Sequence, residues 1–505
     1  MVIPNLQLDP HSEVAVYRQI AEWIRAAALD GRLPAGERLP ATRDLARQLG
    51  VNRNTVVSAY EHMAGRGWVT GHTGKGTFVA SHPGAVGPGG TNDDAGTWFT
   101  AFSRQAESAD SGLKSIYRLA MATEGISFVG SYPAGEMLPV EGFSRSMADT
   151  LAAGGADVLA YGPTAGHPPL RDTIAETMRA AGSQVGADNI LVTNGAQQAI
   201  ELVFSAFVDR GQAVVIEEPT YTGALSVLSH LGARPVAVPV DDEGIRPDLL
   251  EIALERHRPR LIYVQPTFQN PTARVMGEGR RRQILALAAR YRCPLVEDDW
   301  AGDLRLDGDE QLSLHALDGG QHVVYLSTFS KKLMPGLRVG WVAAPPVVVE
   351  RLVELKRVRD CGTSPLIQAA LHGFLRNGGL EKHLERVLPA YRDRRDAMLS
   401  ALSRHFPAEA RWTRPAGGLF LWVTLPRGFD GNELFVAAGQ EGVFYSRGDL
   451  FHSDGGGRST MRLTYSSATP ERIESGVEIL GRLVKERLER SAPVGRPSTE
   501  SMPIL

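Results

Sequence analysis

In the stretch STFSKKLMPGLRVG, Thr328, Lys331 and Arg338 follow the end of a strand-like run at offsets of three and seven. A lysine so placed can form a Schiff base with an aldehyde, while the hydroxyl and the guanidinium suit a dianionic phosphate. The pair Lys331-Lys332 alone would be read as a solvated surface feature, and only its flanking residues argue otherwise. In TNGAQQAI a turn joins a strand to a helix, so the amides of Ala196 and Gln197 open a helix N-terminus suited to phosphate. EEPTYTGA offers Tyr221, an aromatic just past a strand end that can stack on a planar ring. VQPTFQNPTARV offers Asn270, whose amide can donate to a phenolic oxygen, although Asn-Pro is also an ordinary turn. VEDDWAGDL offers Asp298 at the C-terminal end of a strand. A carboxylate buried there keeps a pyridine nitrogen protonated and makes the ring an electron sink. Each feature has a blander reading as surface or core; together they describe a site for pyridoxal 5'-phosphate.

A second group of residues lies near the N-terminus, in LPATRDLARQLGVNRNTVVSAYEHMAGRGWVTGHTGKGTFVA. Leu45, Ala46 and Leu49 line one helix, Gly50-Val51 make a tight turn, and Val56, Ala59, Tyr60 and Met63 recur at helical spacing on a second helix. Arg53, Asn54, Val57 and Ser58 then point outward. A helix opening with Arg and Asn suits a DNA major groove, where Arg grips guanine and Asn grips adenine through paired hydrogen bonds. HTGKGT reads as a β-wing with Lys75 at its tip.

These groups need separate scaffolds. At 505 residues the chain is long enough for two to four units, and its 43% hydrophobic and 22% charged content is that of ordinary globular protein. The net charge of -3 argues neither for nor against nucleic acid, because residues 31–80 carry seven basic against three acidic residues. Two cysteines, Cys293 and Cys361, provide no disulfide framework and no metal-ligand spacing, which fits a reducing cytoplasm. No basic-then-apolar leader opens the chain and no 18 apolar residues run together, so neither export nor membrane spanning is expected. The Gly- and Pro-rich stretch SHPGAVGPGGTNDDAGT marks a boundary, giving an N-terminal domain at 1–80 and a flexible linker at 81–115. Beyond it, strand-like runs alternate with helical segments over 116–488, the pattern of a mostly parallel sheet with helices on both faces. From about Leu380 a long helix and two further strand-like runs predict a smaller α+β subdomain, and residues 489–505 read as a disordered tail.

Across residues 12–80 the helix, turn, second helix and basic wing, with the phrase LPATRDLA, resemble the GntR type of winged helix-turn-helix. The resemblance implies Arg43, Asn52, Arg53, Asn54, Thr55, Gly74 and Lys75 as the DNA-facing set. Over residues 116–488 the ordered motifs resemble the fold-type I aminotransferases, an α/β fold. That likeness implies Lys331 as the Schiff-base lysine, Asp298 as partner of the pyridine nitrogen and Asn270 as partner of the phenolic oxygen. It further implies Tyr221 as the stacking ring and Ala196, Gln197, Thr328 and Arg338 as the phosphate cup. YGPTAGHPPLR is similar to the segment that reaches a neighbouring subunit, implying a homodimer in which Tyr161 touches the other chain's phosphate. Arg462 in MRLTYS matches the arginine that clamps a substrate α-carboxylate. One departure stands out: the family commonly places a tyrosine shortly after the aspartate, whereas here the second residue after Asp298 is Trp300, which donates a hydrogen bond but does not ionise. Thr222 and Gly223 follow Tyr221 with no arginine, so γ-aminobutyrate is not the expected effector.

The fusion resembles the MocR branch of GntR regulators. It implies a cytoplasmic regulator that binds double-stranded operator DNA and senses pyridoxal phosphate or an amino compound through an external aldimine. The rival expectation is a working aminotransferase that carries a DNA-binding module.

Overall fold

The computed structural model describes residues 6, 8–9, 15–29, 32–34, 36–64, 68–72, 76–80, 125–426 and 428–491. The expected linker at 81–115, the wing-tip residues Gly74 and Lys75, and residues 492–505 lie outside the described residues. The chain divides into two compact units, Met1–Ser108 and Ala109–Leu505.

In the first unit the helices Val16–Leu29, Thr42–Leu49 and Arg53–Ala64 precede an antiparallel hairpin of β1 (Val69–His72) and β2 (Gly76–Val79). The second of these helices stops at Gly50, whose φ of 65° is the left-handed conformation that glycine adopts without penalty. The Val51 amide then donates back to the Ala46 carbonyl at 3.0 Å, closing the tight turn. Leu45, Ala46, Val56, Ala59, Tyr60 and Met63 all enter one core with Ile20, Ile24 and Val79. The Tyr60 hydroxyl also donates to the Pro40 carbonyl at 2.8 Å, pinning the segment that enters the second helix.

The second unit holds two sheets. Its first strand, β3 (Ile126–Phe128), is followed by β4 (Ile190–Thr193), β5 (Ala213–Glu218), β6 (Arg234–Asp241), β7 (Gly244–Ile245), β8 (Leu261–Val264), β9 (Leu295–Asp299), β10 (Val323–Thr328) and β11 (Gly340–Ala343). Strands β4 to β11 form one eight-stranded sheet in the order β4-β11-β10-β9-β8-β5-β6-β7. The neighbours β10/β9, β9/β8, β8/β5 and β5/β6 pair in parallel, while β11 runs against both β10 and β4. Alternate residues of these apolar strands serve opposite faces. Val214 and Ile216 join the core beneath helices Ala196–Phe207 and Thr222–Leu231, whereas Val215 joins the one beneath Pro247–His257 and Glu278–Arg290.

The smaller sheet contains β12 (Arg411–Trp412), β13 (Phe420–Thr424), β14 (Val443–Arg447) and β15 (Thr460–Thr464), and takes β3 as its edge, parallel to β14. The sequence pattern starts this subdomain at about Leu380, and β3 corrects that. Its three residues are too short to register as a periodic run. They are fixed by pairing with a strand that is remote in sequence, with Phe128 fully buried in the subdomain core. The last helix, Pro470–Ser491, runs past the expected end at 488 because Ile473, Val477, Leu480 and Val484 anchor it to the same core. Among the described residues no helix is long and apolar enough to cross a membrane.

Candidate cofactor cavity and DNA-facing surface

Parallel strands that share a sheet end at one edge, and ligands settle outside their carboxyl ends. Here residues at or just after the ends of β4, β5, β8, β9 and β10 converge on one cavity. Its lining includes Ala196, Tyr221, Asn270, Asp298, Thr328, Lys331 and Arg462, so seven of the expected residues meet in one place. Trp300 also lines it, as do Val129, Phe420, Leu450 and Phe451 from the smaller sheet and its loops.

Asp298 is 1% exposed. One carboxylate oxygen, Oδ2, accepts from the Tyr263 hydroxyl at 2.5 Å and from Gln265 Nε2 at 2.8 Å. The other, Oδ1, is buried with no hydrogen-bond partner among the described residues. Burial pushes this carboxyl up to about 6, against the pull of its two donors. Gln265 and Tyr263 were not singled out in the sequence. They stand two residues apart, on the same side of β8 and its extension, and β8 runs in register beside β9. The alternation within LIYVQP was the available signal.

Two adjacent lysines meet different fates. Lys332 Nζ pairs with the Asp303 carboxylate and lies over the Phe329 and Trp341 rings, 5.6 and 5.0 Å from their centroids. Lys331 faces the cavity and makes no hydrogen bond or ion pair among the described residues. Burial, reinforced by Arg462 and Arg338, lowers its amine to about 8. The turn after β10 separates them, with the Leu333 amide donating to the Phe329 carbonyl at 3.0 Å and sending successive side chains to different sides.

Arg462 on β15 is 6% exposed and donates through Nη1 to Asn270 Oδ1 at 2.8 Å and through Nη2 to the Val129 carbonyl at 2.9 Å. Its guanidinium carbon lies 4.8 Å from the Phe420 ring centroid and 5.0 Å from that of Phe451. Such desolvated cation–π contacts are worth about 2 kcal/mol. Because Asn270 Oδ1 accepts from Arg462, the donor end of that amide is the one left to face the cavity.

The residues expected to form a phosphate cup divide. Ala196 begins the helix after Gly195, whose φ is 81°. A Cβ at Gly195 would come within 2.8 Å of Arg338 Nη2, so only glycine lets the guanidinium lie against the turn. Gly340 matters for the same reason, since a Cβ there would stand 2.8 Å from the Gly195 carbonyl carbon. Arg338 is exposed and donates to the Asn194 carbonyl at 3.2 Å. Gln197 bonds the Gly223 carbonyl at 3.0 Å and accepts from Tyr221 at 3.3 Å. Arg338 and Gln197 therefore sit together in a neighbouring open groove, outside the lining of the main cavity. Tyr161 is 96% exposed and reaches neither.

Comparison with known proteins bears on both units. Residues 129–480 match the family "Aminotransferase class I and II", and residues 16–79 match "Bacterial regulatory proteins, gntR family". The probable rhizopine catabolism regulatory protein MocR of Rhizobium meliloti is 30% identical over 99% of this chain and 98% of its own length. The chain belongs to the MocR-type branch of the GntR regulators. An aromatic-amino-acid aminotransferase of Thermococcus litoralis is 36% identical over 75% of this chain and 93% of its own. An α-aminoadipate aminotransferase of Thermus thermophilus, solved with N-(5'-phosphopyridoxyl)-L-leucine, superposes at a TM-score of 0.73. It is 37% identical and covers 78% of this chain and 99% of its own.

Trp300, the departure from the family pattern, does not offer its N–H to the cavity of this MocR-type regulator. Its Nε1 donates to the Phe268 carbonyl at 3.1 Å, and its ring stacks on Phe420 at 5.2 Å and 13°. On the first unit, Arg43, Asn52 and Arg53 are exposed and Thr55 is half-buried. Arg53 Nε lies 3.4 Å from Thr42 Oγ1, a long contact that leaves the guanidinium at the surface. Asn54 lies in the helix Arg53–Ala64, with its side chain outside the described residues.

Proposed function

We propose that this MocR-type regulator binds double-stranded operator DNA through its first unit and reads an amino compound in a pyridoxal phosphate-loaded cavity of its second, acting in the cytoplasm as a homodimer. The observation that carries the reading is the pairing, across one cavity, of an unbonded Lys331 with a buried Asp298 whose Oδ1 has no partner. An orphaned buried acceptor is costly, and a cationic ring N–H is the donor that would satisfy it.

The residues fit the cofactor. Asp298 would hold the pyridine nitrogen, Asn270 would donate to the phenolic oxygen, and Tyr221 would cover the ring. The Ala196 amide and Thr328 would meet the phosphate, with Arg338 and Gln197 behind the turn. When bound, pyridoxal phosphate supplies an aldehyde that captures amines and a ring that withdraws electrons. Lys331, lowered to about 8, sheds its proton close to neutral pH and is then nucleophilic. Arg462, held between two aromatic rings, would clamp the effector's carboxylate. Tyr161, almost fully exposed on this chain, would meet a second copy.

A second reading, that of a working aminotransferase, is favoured by the same set of Lys331, Asp298 and Arg462 and by the enzymes of 36% and 37% identity. Linkage separates the two. If ligand binding and DNA binding are coupled, operator DNA must change the amino compound's affinity by the factor with which that compound changes DNA affinity. Titration of the visible absorbance with amino acids, with and without operator DNA, should give two different affinities, and both should fall on Arg462→Ala. Identical affinities, together with sustained turnover of an amino acid and a 2-oxo acid, would replace the sensor with the enzyme.

A further inference from the structure

The turn Asn194–Ala196 is held from outside the cavity. Asn194 is gripped at its amide by Gln198 Oε1 at 2.8 Å and at its carbonyl by Arg338 at 3.2 Å. Its side-chain Nδ2 donates to Asp360 Oδ2 at 2.6 Å. The same carboxylate oxygen accepts from Gln198 Nε2 at 2.5 Å and from Lys356 Nζ at 2.6 Å. Lys356 is fully buried and also donates to Gln198 Oε1 at 3.0 Å. Asp360 thus gathers three donors on one oxygen at the end of the helix Pro346–Asp360.

A buried ion pair is a poor stabiliser compared with apolar side chains of the same volume, because desolvation cancels most of the attraction. What it gives is direction. The carboxylate fixes Asn194 and Gln198 in one orientation, and these two side chains bracket the glycine that turns the Ala196 amide toward the cavity. Its other oxygen looks elsewhere: Oδ1 accepts from the Gly362 amide at 2.9 Å. Gly362 has a φ of 133°, and a Cβ on it would lie 3.7 Å from the Thr164 Cα. Next along the chain, Gln368 donates to the Thr363 carbonyl at 2.7 Å and accepts from the His167 amide at 2.8 Å. His167, at the end of the segment that begins at Tyr161, is therefore fastened to the residues that follow Asp360.

We infer that Asp360 is a positioning residue for a phosphate monoester dianion at the Asn194–Ala196 turn, and that one carboxylate links this turn, through Gly362, to the stretch that holds His167. The inference rests on the cofactor reading above. Occupancy of the anion site and placement of that stretch then become two ends of a single hydrogen-bonded unit.

The test compares pyridoxal phosphate with pyridoxal, which lacks the phosphate and is otherwise the same molecule. Asp360→Asn keeps the shape and the acceptor for Gly362, but turns an N–H₂ toward the three donors. Affinity for pyridoxal phosphate should fall tenfold or more while affinity for pyridoxal stays unchanged. Equal losses for both ligands, the mark of a general structural role, would overturn the inference, as would no loss for either. Should Asp360→Asn fail to fold, Asn194→Ala removes one donor without stranding a charge. It should lower the same affinity ratio by a smaller factor, and an unchanged ratio overturns the inference. A wild type that binds both ligands equally would instead bring down the anion reading itself.

Discussion

The helix Arg53–Ala64 and the turn after β10 each present one basic side chain that the proposal assigns to recognition, but in opposite settings. Arg53 stands at an exposed helix start whose apolar face lies behind it, where Val56 and Ala59 are fully buried. Lys331 lines one cavity with a buried carboxylate and a buried guanidinium, each hydrogen-bonded to side chains from β8 or the residues that follow it. A surface reader is separable from its fold, since the residues that carry the helix are not those that would touch DNA. A buried site is not separable in this way. Substitution of Asp298 would strand the donors of Tyr263 and Gln265, and substitution of Arg462 would strand the acceptor of Asn270.

The largest effect expected from this contrast is at Lys331. Lys331→Ala should abolish the absorbance that borohydride fixes in the pyridoxal phosphate-loaded protein, with Lys332→Ala as the control. Lys332 is spent on Asp303, so its loss should leave the chromophore in place while costing stability. A fixable chromophore that survives Lys331→Ala would reassign the lysine. The pH dependence follows from the same burial. With the amine lowered to about 8, covalent uptake of the cofactor should slow as pH falls through 8, because the protonated amine is not a nucleophile. An uptake rate flat from about pH 6 to 9 would contradict a cavity-facing Lys331.

The contrast also sets how much could be read from sequence. Strand ends announce themselves, because short apolar runs stop at a polar residue. Asp298, Tyr221, Ala196 and Thr328 all lie within a few residues of such a stop and meet in one cavity. The helical spacing of Val56, Ala59, Tyr60 and Met63 placed one core face just as directly. Contacts made across the fold were harder to see. Nothing local in Phe420, Leu450 or Phe451 marks them as walls, since it is the return of the smaller sheet that brings them, with Arg462, to the cavity. Lys356 and Asp360 read as an ordinary i, i+4 pair on a helix, although one is fully buried. Arg338 is placed by motif spacing, which does not report which side of a turn a side chain takes, whereas Gln197 is expected through its backbone amide.

A second, intermediate effect is expected at the DNA-facing surface. Arg53→Ala should weaken specific operator binding by about 1–3 kcal/mol, the cost of one lost base contact, at matched salt. Its stability and its affinity for pyridoxal phosphate should match the wild type, because no core group depends on the side chain. Equal operator affinity would move Arg53 off the reading face. A marked fall in melting temperature would erase the distinction between the two settings.

The smallest effect concerns Trp300, where the two settings meet in a single residue, since it lines the cavity yet is bound into the core. Its N–H is committed to Phe268 and its ring to Phe420. Trp300→Tyr should therefore cost stability first, about 1 kcal/mol for the lost N–H bond to Phe268. The new phenol would also add an ionisable donor to the cavity, and the pH midpoint of the cofactor's visible absorbance should move by less than about one unit. Trp300→Phe separates the two consequences, for it keeps an aromatic ring and removes both donors. It should share the stability loss and leave the midpoint where the wild type has it. If the tyrosine and phenylalanine variants titrate alike, the residue acts only as packing. The indole in place of the family's phenol would then bear on the fold and not on how the cavity holds its cofactor.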